Sequence, residues 1–203
     1  MTHPSLSLPG WFGKLPGAGD FAHRRVPPAL RACWDDWLHD GLADLRARHP
    51  GWIDAYLTSP VWGFLLGPGV AGGTAWIGAM APSVDRVGRY YPISLFAPLP
   101  GNAEEFAPWW HAAHLVLMQA LDADADADDL EQILATGFTP PVKPAGSTPV
   151  NKAQWTGPGR TAWIHASDPQ SESAMEIDGL PHGPLFDLLF DTQAASAHLE
   201  DST

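Results

Sequence analysis

The residues best suited to chemistry lie in one short segment, residues 82–92, which reads Pro-Ser-Val-Asp-Arg-Val-Gly-Arg-Tyr-Tyr-Pro. It places Asp85, Arg86 and Arg89 between two stretches that are predicted to be strands. An aspartate beside two arginines can form ion pairs that hold a loop in shape. The same side chains can instead recognise a partner, because loops on a rigid scaffold carry a large share of binding sites. The sequence alone leaves both interpretations open.

A second candidate segment, residues 10–20, reads Gly-Trp-Phe-Gly-Lys-Leu-Pro-Gly-Ala-Gly-Asp and contains the Gly-Lys pair of a phosphate-binding P-loop. That motif needs a glycine five residues before the Gly-Lys glycine and a hydroxyl residue after the lysine. Leu8 and Leu15 occupy those positions, so we reject a P-loop. We predict instead a strand over residues 11–15 that runs into a Pro/Gly turn.

Metal-binding patterns are incomplete in this sequence. The Asp-Ala run at residues 122–129 has alternating aspartates, but Ala127 and Ile133 stand where a calcium loop needs its glycine and its bidentate glutamate. His111 and His114 are three residues apart and lack the glutamate of a His-Glu-x-x-His zinc site. We therefore expect no metal and no cofactor, and interpret residues 122–129 as an acidic linker whose last aspartates cap the next helix.

The single cysteine, Cys33, is predicted to lie in the apolar stripe of a helix, where burial raises the pKa of a thiol and makes it unreactive. One cysteine also excludes an intrachain disulfide. No other nucleophile stands in a recognisable motif such as Gly-x-Ser-x-Gly. The sequence therefore indicates a protein without catalytic residues.

Composition limits the classes of partner. The 203 residues carry a formal net charge of −12, which repels nucleic-acid phosphates and anionic membrane surfaces. Residues 1–10 do not resemble a signal peptide, and no apolar run approaches the length of a spanning helix. We expect a cytoplasmic protein.

The hydrophobic pattern predicts an α/β (α+β) fold, a mostly antiparallel sheet with helices packed on it, for which longin-like or profilin-like sandwiches are the analogies to check. The two strands on either side of Gly67-Pro68-Gly69 should pair antiparallel, because their connection is too short for a crossover. We predict strands over residues 11–15, 61–66, 74–80, 91–97 and 161–165, and helices over residues 28–49, 103–121, 128–136 and 184–191. Residues 137–160 read as a long loop, and residues 193–203 as a frayed tail.

Three blocks together resemble a known family. They are residues 10–21, residues 59–62, which read Ser-Pro-Val-Trp, and residues 82–92. In residue types, order and spacing they are similar to the TagF family of accessory proteins of the bacterial type VI secretion system. The resemblance covers residues 10–94 best and implies one TagF-like domain over residues 1–203.

The resemblance implies a cytoplasmic regulator, generally a post-translational repressor that acts through the forkhead-associated scaffold protein of the secretion system. Some family members are fused to a PP2C-type phosphatase, but no part of this sequence resembles one. The family supplies no catalytic residues to carry over. We therefore expect a non-enzymatic protein whose partner is a type VI secretion protein.

The candidate partner-binding residues come from the two motif loops, which we predict to meet at one end of the sheet. They are Lys14, Asp20, Asp85, Arg86, Arg89 and Tyr90. One alternative is a small-ligand or anion-sensing module built on the same two loops, which a concave polar pocket between them would favour. A weaker alternative is an uncharacterised hydrolase, against which stands the absence of a nucleophile–base set.

Overall fold

The computed structural model describes residues 8–99, 106–138, 157–167 and 174–190. The elements in these ranges follow one another along the chain as β1 (Gly10–Gly13), β2 (Ala22–Arg24), α1 (Pro28–Arg48), α2 (Trp52–Thr58), β3 (Trp62–Leu66), β4 (Trp76–Ala81), β5 (Ile93–Pro98), α3 (Ala107–Asp122), α4 (Ala127–Gly137), β6 (Arg160–His165), β7 (Met175–Asp178) and α5 (Pro184–Asp187).

The strands form one sheet in the order β2-β1-β5-β4-β3-β6-β7, and every neighbouring pair is antiparallel. The predicted fold class is therefore confirmed, as is the antiparallel pairing of β3 with β4. The longin and profilin likenesses stay analogies. Strand β6 follows the long predicted loop yet pairs with β3 near the middle of the sheet, so late residues complete the same core as early ones.

Helices cover both faces of the sheet, which explains why its strands are almost continuously apolar. Neighbouring residues such as Phe64 and Leu65 point to opposite faces and are both fully buried. On one face α1, α2 and α5 pack in a largely aromatic layer. On the other, α3 and α4 pack in a layer of mostly Leu, Ile, Val and Ala. A strand buried on both sides shows an apolar run instead of the alternation of a one-sided sheet.

Several predicted boundaries were wrong, for local reasons. Strand β1 ends at Gly13 rather than at residue 15, and β5 begins at Ile93 rather than at residue 91, because Pro92 has no N–H to give to a ladder. Strand β4 begins at Trp76 and α5 ends at Asp187, each inside its predicted range. Most of the predicted loop over residues 137–160, and all of the tail over residues 193–203, lie outside the described residues.

Three elements were missing from the sequence prediction: β2, β7 and α2. The two strands have three and four residues with largely exposed or half-buried side chains, so no apolar period marks them. Helix α2 has seven residues, fewer than two helical turns, and this is too few for a repeating stripe to emerge. The omission of α2 matters most, because it supports one of the motif loops.

The acidic run acts as predicted at the start of α4. The Asp126 carboxylate accepts hydrogen bonds from the backbone N–H groups of Asp128 and Asp129 at 2.9 and 3.0 Å, and Asp129 accepts one from the Asp126 N–H at 3.1 Å. This reciprocal capping box satisfies N–H groups that have no partner inside the helix. The capping prediction is confirmed.

Cys33 packs against the apolar stripe of α1, as predicted, but it is half-buried rather than fully buried. Its Sγ lies 3.6 Å from the carbonyl oxygen of Val70. Burial, and then the nearby Asp36 carboxylate, raise the pKa of the thiol, which is the predicted direction. None of the helices in the described ranges is long and apolar enough to cross a membrane.

Candidate interaction site

The pairing of β1 with β5 brings the two motif loops together. Gly13 lies opposite Ile93 in this register, so the chain leaving β1 runs beside the chain entering β5. The approach is so close that a Cβ on Gly13 would lie 2.1 Å from the Pro92 carbonyl oxygen, and its φ of +145° also favours glycine. The Arg86 N–H donates to the Ala18 carbonyl at 3.0 Å. The prediction that the loops meet is confirmed.

Asp85 organises the second loop, which is a hairpin closed by an antiparallel bridge between Val84 and Tyr90. Its Oδ1 accepts hydrogen bonds from the backbone N–H groups of Val87 and Arg89 at 3.0 and 2.9 Å. An aspartate that bonds the backbone a few residues ahead stabilises a tight turn. This carboxylate therefore holds the turn of the hairpin together with backbone hydrogen bonds, such as that from the Asp85 N–H to the Arg89 carbonyl at 3.1 Å.

The other oxygen of Asp85 joins the hairpin to the first loop. Its Oδ2 lies 2.6 Å from Nζ of Lys14 and 2.7 Å from Nε of Arg89. Lys14 and Asp85 are each only 4% exposed, so both charges lie inside the protein and neutralise one another there. We call Lys14, Asp85 and Arg89 the charge clamp.

Hydrogen bonding decides the protonation state of Asp85. Burial by itself raises the pKa of the Asp85 carboxyl, but hydrogen bonds from Lys14, from the Arg89 backbone and side chain, and from the Val87 N–H outweigh it. The net effect holds the pKa well below its ordinary value. Asp85 is therefore ionised across the physiological range.

Helix α2, absent from the sequence prediction, supports the base of the hairpin. The Tyr56 hydroxyl donates to the Ser83 carbonyl and accepts from the Ser83 N–H, both at 2.9 Å. The Tyr90 ring packs edge-on against Trp52 and Tyr56, with centroids 5.3 and 5.8 Å away. The four-residue spacing of Trp52 and Tyr56 ahead of a Ser-Pro pair was the available signal for this helix. Tyr90 is thus half-buried and faces α2.

An aromatic group supports the first loop. The Phe21 ring lies 4.7 Å from the Tyr91 ring and 5.8 Å from the Phe12 ring. Lys14 Nζ lies 4.7 Å from the centroid of Phe21, within the range of a cation–π contact. Tyr91 is buried and its hydroxyl donates to Asp35 on α1 at 2.7 Å. Phe21 is held in place although 45% of it is exposed.

The predicted site residues therefore divide by burial. Lys14 and Asp85 are inside and hold the loops together, and Arg89 spans the clamp and the surface. Asp20 is exposed, and its carboxylate accepts from the Phe21 N–H at 2.8 Å. Arg86 is exposed, and its side chain has no ion pair or hydrogen bond within the part of the chain that the structure describes. Partner binding at this site stays a prediction.

A half-open cavity of about 270 Å³ lies between the end of α1, α2 and α5, lined by residues that include Leu45, Trp52 and Phe190. It is not placed between the two motif loops. In the described ranges no three His, Cys, Asp or Glu side chains come together as a metal site. Of the two histidines on α3, His111 is exposed and His114 is half-buried. The burial of His114 lowers its pKa, and the nearby charge of His111 lowers it further.

Comparison with known families adds to this geometry. A family model described as the TagF N-terminal domain, type VI secretion system-associated, matches residues 10–136, from β1 almost to the end of α4. The chain belongs to the TagF family. The match includes all three motif blocks and every residue of the charge clamp, so the clamp is built entirely from the family domain. An accessory role in type VI secretion follows from this membership.

A solved structure shares the fold of this TagF family member. The crystal structure of PA0076 from Pseudomonas aeruginosa PAO1 superposes with a TM-score of 0.72 at 31% sequence identity. The alignment covers 91% of this chain and 94% of that one, so the likeness extends beyond the residues that the family model matches. No curated protein sequence matches the chain.

Proposed function

We propose that this protein is a non-enzymatic, cytoplasmic regulator of the type VI secretion system. It represses the system after translation by binding one of its scaffold components, and the forkhead-associated scaffold protein is the candidate partner. Membership of the TagF family supports the link to the secretion system. Repression and the choice of the scaffold are what the family resemblance implies, whereas the geometry of the two motif loops supports the binding of a protein partner.

The observation that carries the proposal is the charge clamp itself. A buried ion pair between Lys14 and Asp85, extended by Arg89, joins two loops that are far apart in sequence. Loops fixed before association lose less conformational freedom when a partner binds. Such an arrangement suits a preformed surface for protein binding.

The chemistry of the same residues supports binding over catalysis. Asp85 is ionised and accepts four hydrogen bonds from Lys14, Val87 and Arg89, so it has no capacity left to act as a general base. The Ser83 hydroxyl is buried and has no hydrogen-bond partner in the described ranges. A serine nucleophile needs an adjacent base to activate it.

Deletion of the gene in its own host tests the proposal. We expect more secretion of a type VI substrate while the amounts of the structural components stay unchanged, and wild-type complementation should restore the lower level. The purified protein should also bind the purified forkhead-associated scaffold. Unchanged or reduced secretion in the deletion strain would contradict repression, and absence of scaffold binding would contradict this choice of partner.

A further inference from the structure

The guanidinium groups of Arg86 and Arg89 converge at the exposed end of the charge clamp. Arg89 Nη2 donates to the Gly19 carbonyl, and a Cβ placed on Gly19 would lie 3.5 Å from Arg86 Nη2. Both groups therefore flank one residue of the first loop. Because Lys14 and Asp85 neutralise one another inside the protein, the surface charges here are Arg86 and Arg89 against Asp20, in a chain whose net charge is −12. The positive character of this surface is local.

The two arginines differ in how much of their binding capacity is used. Arg89 bonds Asp85 and Gly19 through Nε and Nη2, and its side chain is still 53% exposed. Arg86 has no carboxylate partner within the described residues. Arginine presents five N–H donors in a planar fork that matches a carboxylate. The surface thus offers free donors, on Arg89 beside its bonds to Asp85 and Gly19 and on Arg86, whose backbone is held by the Ala18 carbonyl.

Both loops also carry exposed apolar side chains. Val87, next to Arg86 at the hairpin tip, is 64% exposed, and Phe21 on the first loop is partly exposed. The Ala18–Arg86 hydrogen bond joins the two loops. Because Phe21 is already packed on Phe12 and Tyr91, its ring is ordered before any partner arrives. Ordered aromatic and arginine side chains are common anchors of protein interfaces.

We propose that Phe21, Arg86, Val87 and Arg89 form a docking patch for a protein segment in which an aspartate or glutamate lies beside an apolar side chain. The partner carboxylate bonds the two guanidinium groups, and the apolar side chain packs on Phe21 and Val87. The strong negative charge of the whole chain opposes a polyanion such as nucleic acid. That the partner is a type VI secretion protein rests on the proposed function. That the bound segment is acidic and apolar rests on the residues of the patch alone.

A photo-cross-linker tests the patch in the native host. The residue p-benzoylphenylalanine replaces Val87, whose side chain is mostly exposed, and a matched control carries it at Leu115, which is 55% exposed on α3. The adducts are sequenced by mass spectrometry. The Val87 experiment is repeated with Arg86→Ala and Arg86→Lys, after each protein is shown to melt as its parent does.

We expect an adduct specific to position 87 whose cross-linked peptide carries an acidic residue beside an apolar one. Arg86→Ala should lower its yield roughly tenfold, the effect expected of an interface anchor, and Arg86→Lys should restore part of it. If that peptide belongs to a protein outside the secretion system, the patch stands and the proposed function fails. An adduct that ignores Arg86, an adduct to a peptide without carboxylates, or no adduct overturns the patch, whatever the affinity for the scaffold.

Discussion

The two sides of the 82–92 hairpin contain charged neighbours in opposite environments. On the inner side, Asp85 is buried and accepts hydrogen bonds from three residues. On the outer side, Arg86 is the next residue along the chain and is exposed with no such partner among the described residues. A charged motif therefore does not show by itself which residue maintains the loop and which is available to a partner. Burial and saturation of hydrogen bonds make that distinction.

Asp85→Ala should give the largest effect. It leaves the Lys14 ammonium buried without its carboxylate and removes the acceptor of two backbone N–H groups in the hairpin. Removal of one member of a buried ion pair lowers the free energy of unfolding by about 3–5 kcal/mol. Urea denaturation at neutral pH measures this loss.

Asp20→Ala is the matched control, because Asp20 is an exposed carboxylate in the loop that faces the hairpin. Its free energy of unfolding should fall by no more than about 1 kcal/mol, since it loses only its hydrogen bond from the Phe21 N–H. If Asp85→Ala is no more destabilising than this control, the inner side of the hairpin is not structural and the comparison fails.

Arg89→Ala should have an intermediate effect, because Arg89 belongs to both sides. It removes the hydrogen bonds to Asp85 and Gly19, but Lys14 still neutralises the carboxylate. The loss of a hydrogen bond to a charged group lowers the free energy of unfolding by about 1.5–3 kcal/mol. A melting curve that coincides with that of the wild type would assign Arg89 wholly to the surface.

Acid should weaken the inner side. Since the pKa of Asp85 is lower in the folded state than the ordinary value of about 3.9, its charged interactions stabilise the protein above pH 4. That contribution is lost as the pH falls below about 4 toward the folded-state pKa. The difference in unfolding free energy between the wild type and Asp85→Asn should therefore shrink from pH 6 to pH 2.5. A difference that is constant over this range would mean that the Asp85 charge contributes nothing.

Arg86→Ala and Val87→Ser should have the smallest effect on stability, about 0.5 kcal/mol or less, because exposed side chains without partners contribute little. Differential scanning calorimetry of both variants checks this expectation. Destabilisation of either variant by more than about 1.5 kcal/mol would show that the outer side also supports the fold.

The sequence predicted the long helices and the apolar strands better than it predicted the short elements. Long periodic segments such as α1 and α3, and apolar strands bounded by Gly or Pro such as β3, were recognisable because many residues contribute to each pattern. Helix α2 and strands β2 and β7 are too short to show a period. Their positions depend on tertiary contacts, such as those of Tyr56 with Ser83.

The position of the candidate site could be predicted from the sequence, but the separate roles of its residues could not. The approach of the two loops followed from flanking strands that turned out to be neighbours. The roles of Lys14 and Asp85 depend on a pairing across 71 positions of sequence, which no local pattern encodes. Tyr90 was grouped with Arg89 by adjacency, yet its ring packs on Trp52 of α2, because successive side chains of an extended segment point to opposite faces.

The strand order also has a kinetic consequence. Strands β3, β4 and β5 follow one another and pair as neighbours, whereas β1 pairs with β5 although β2, α1, α2, β3 and β4 lie between them in the chain. Distant pairings need costly loop closure before they contribute, so we expect Lys14 to meet Asp85 only after the folding barrier. Lys14→Met should then accelerate unfolding and leave the refolding rate almost unchanged in stopped-flow experiments. On this account the Arg86 surface exists only in molecules that have finished folding, and a partly folded chain lacks the docking patch proposed above.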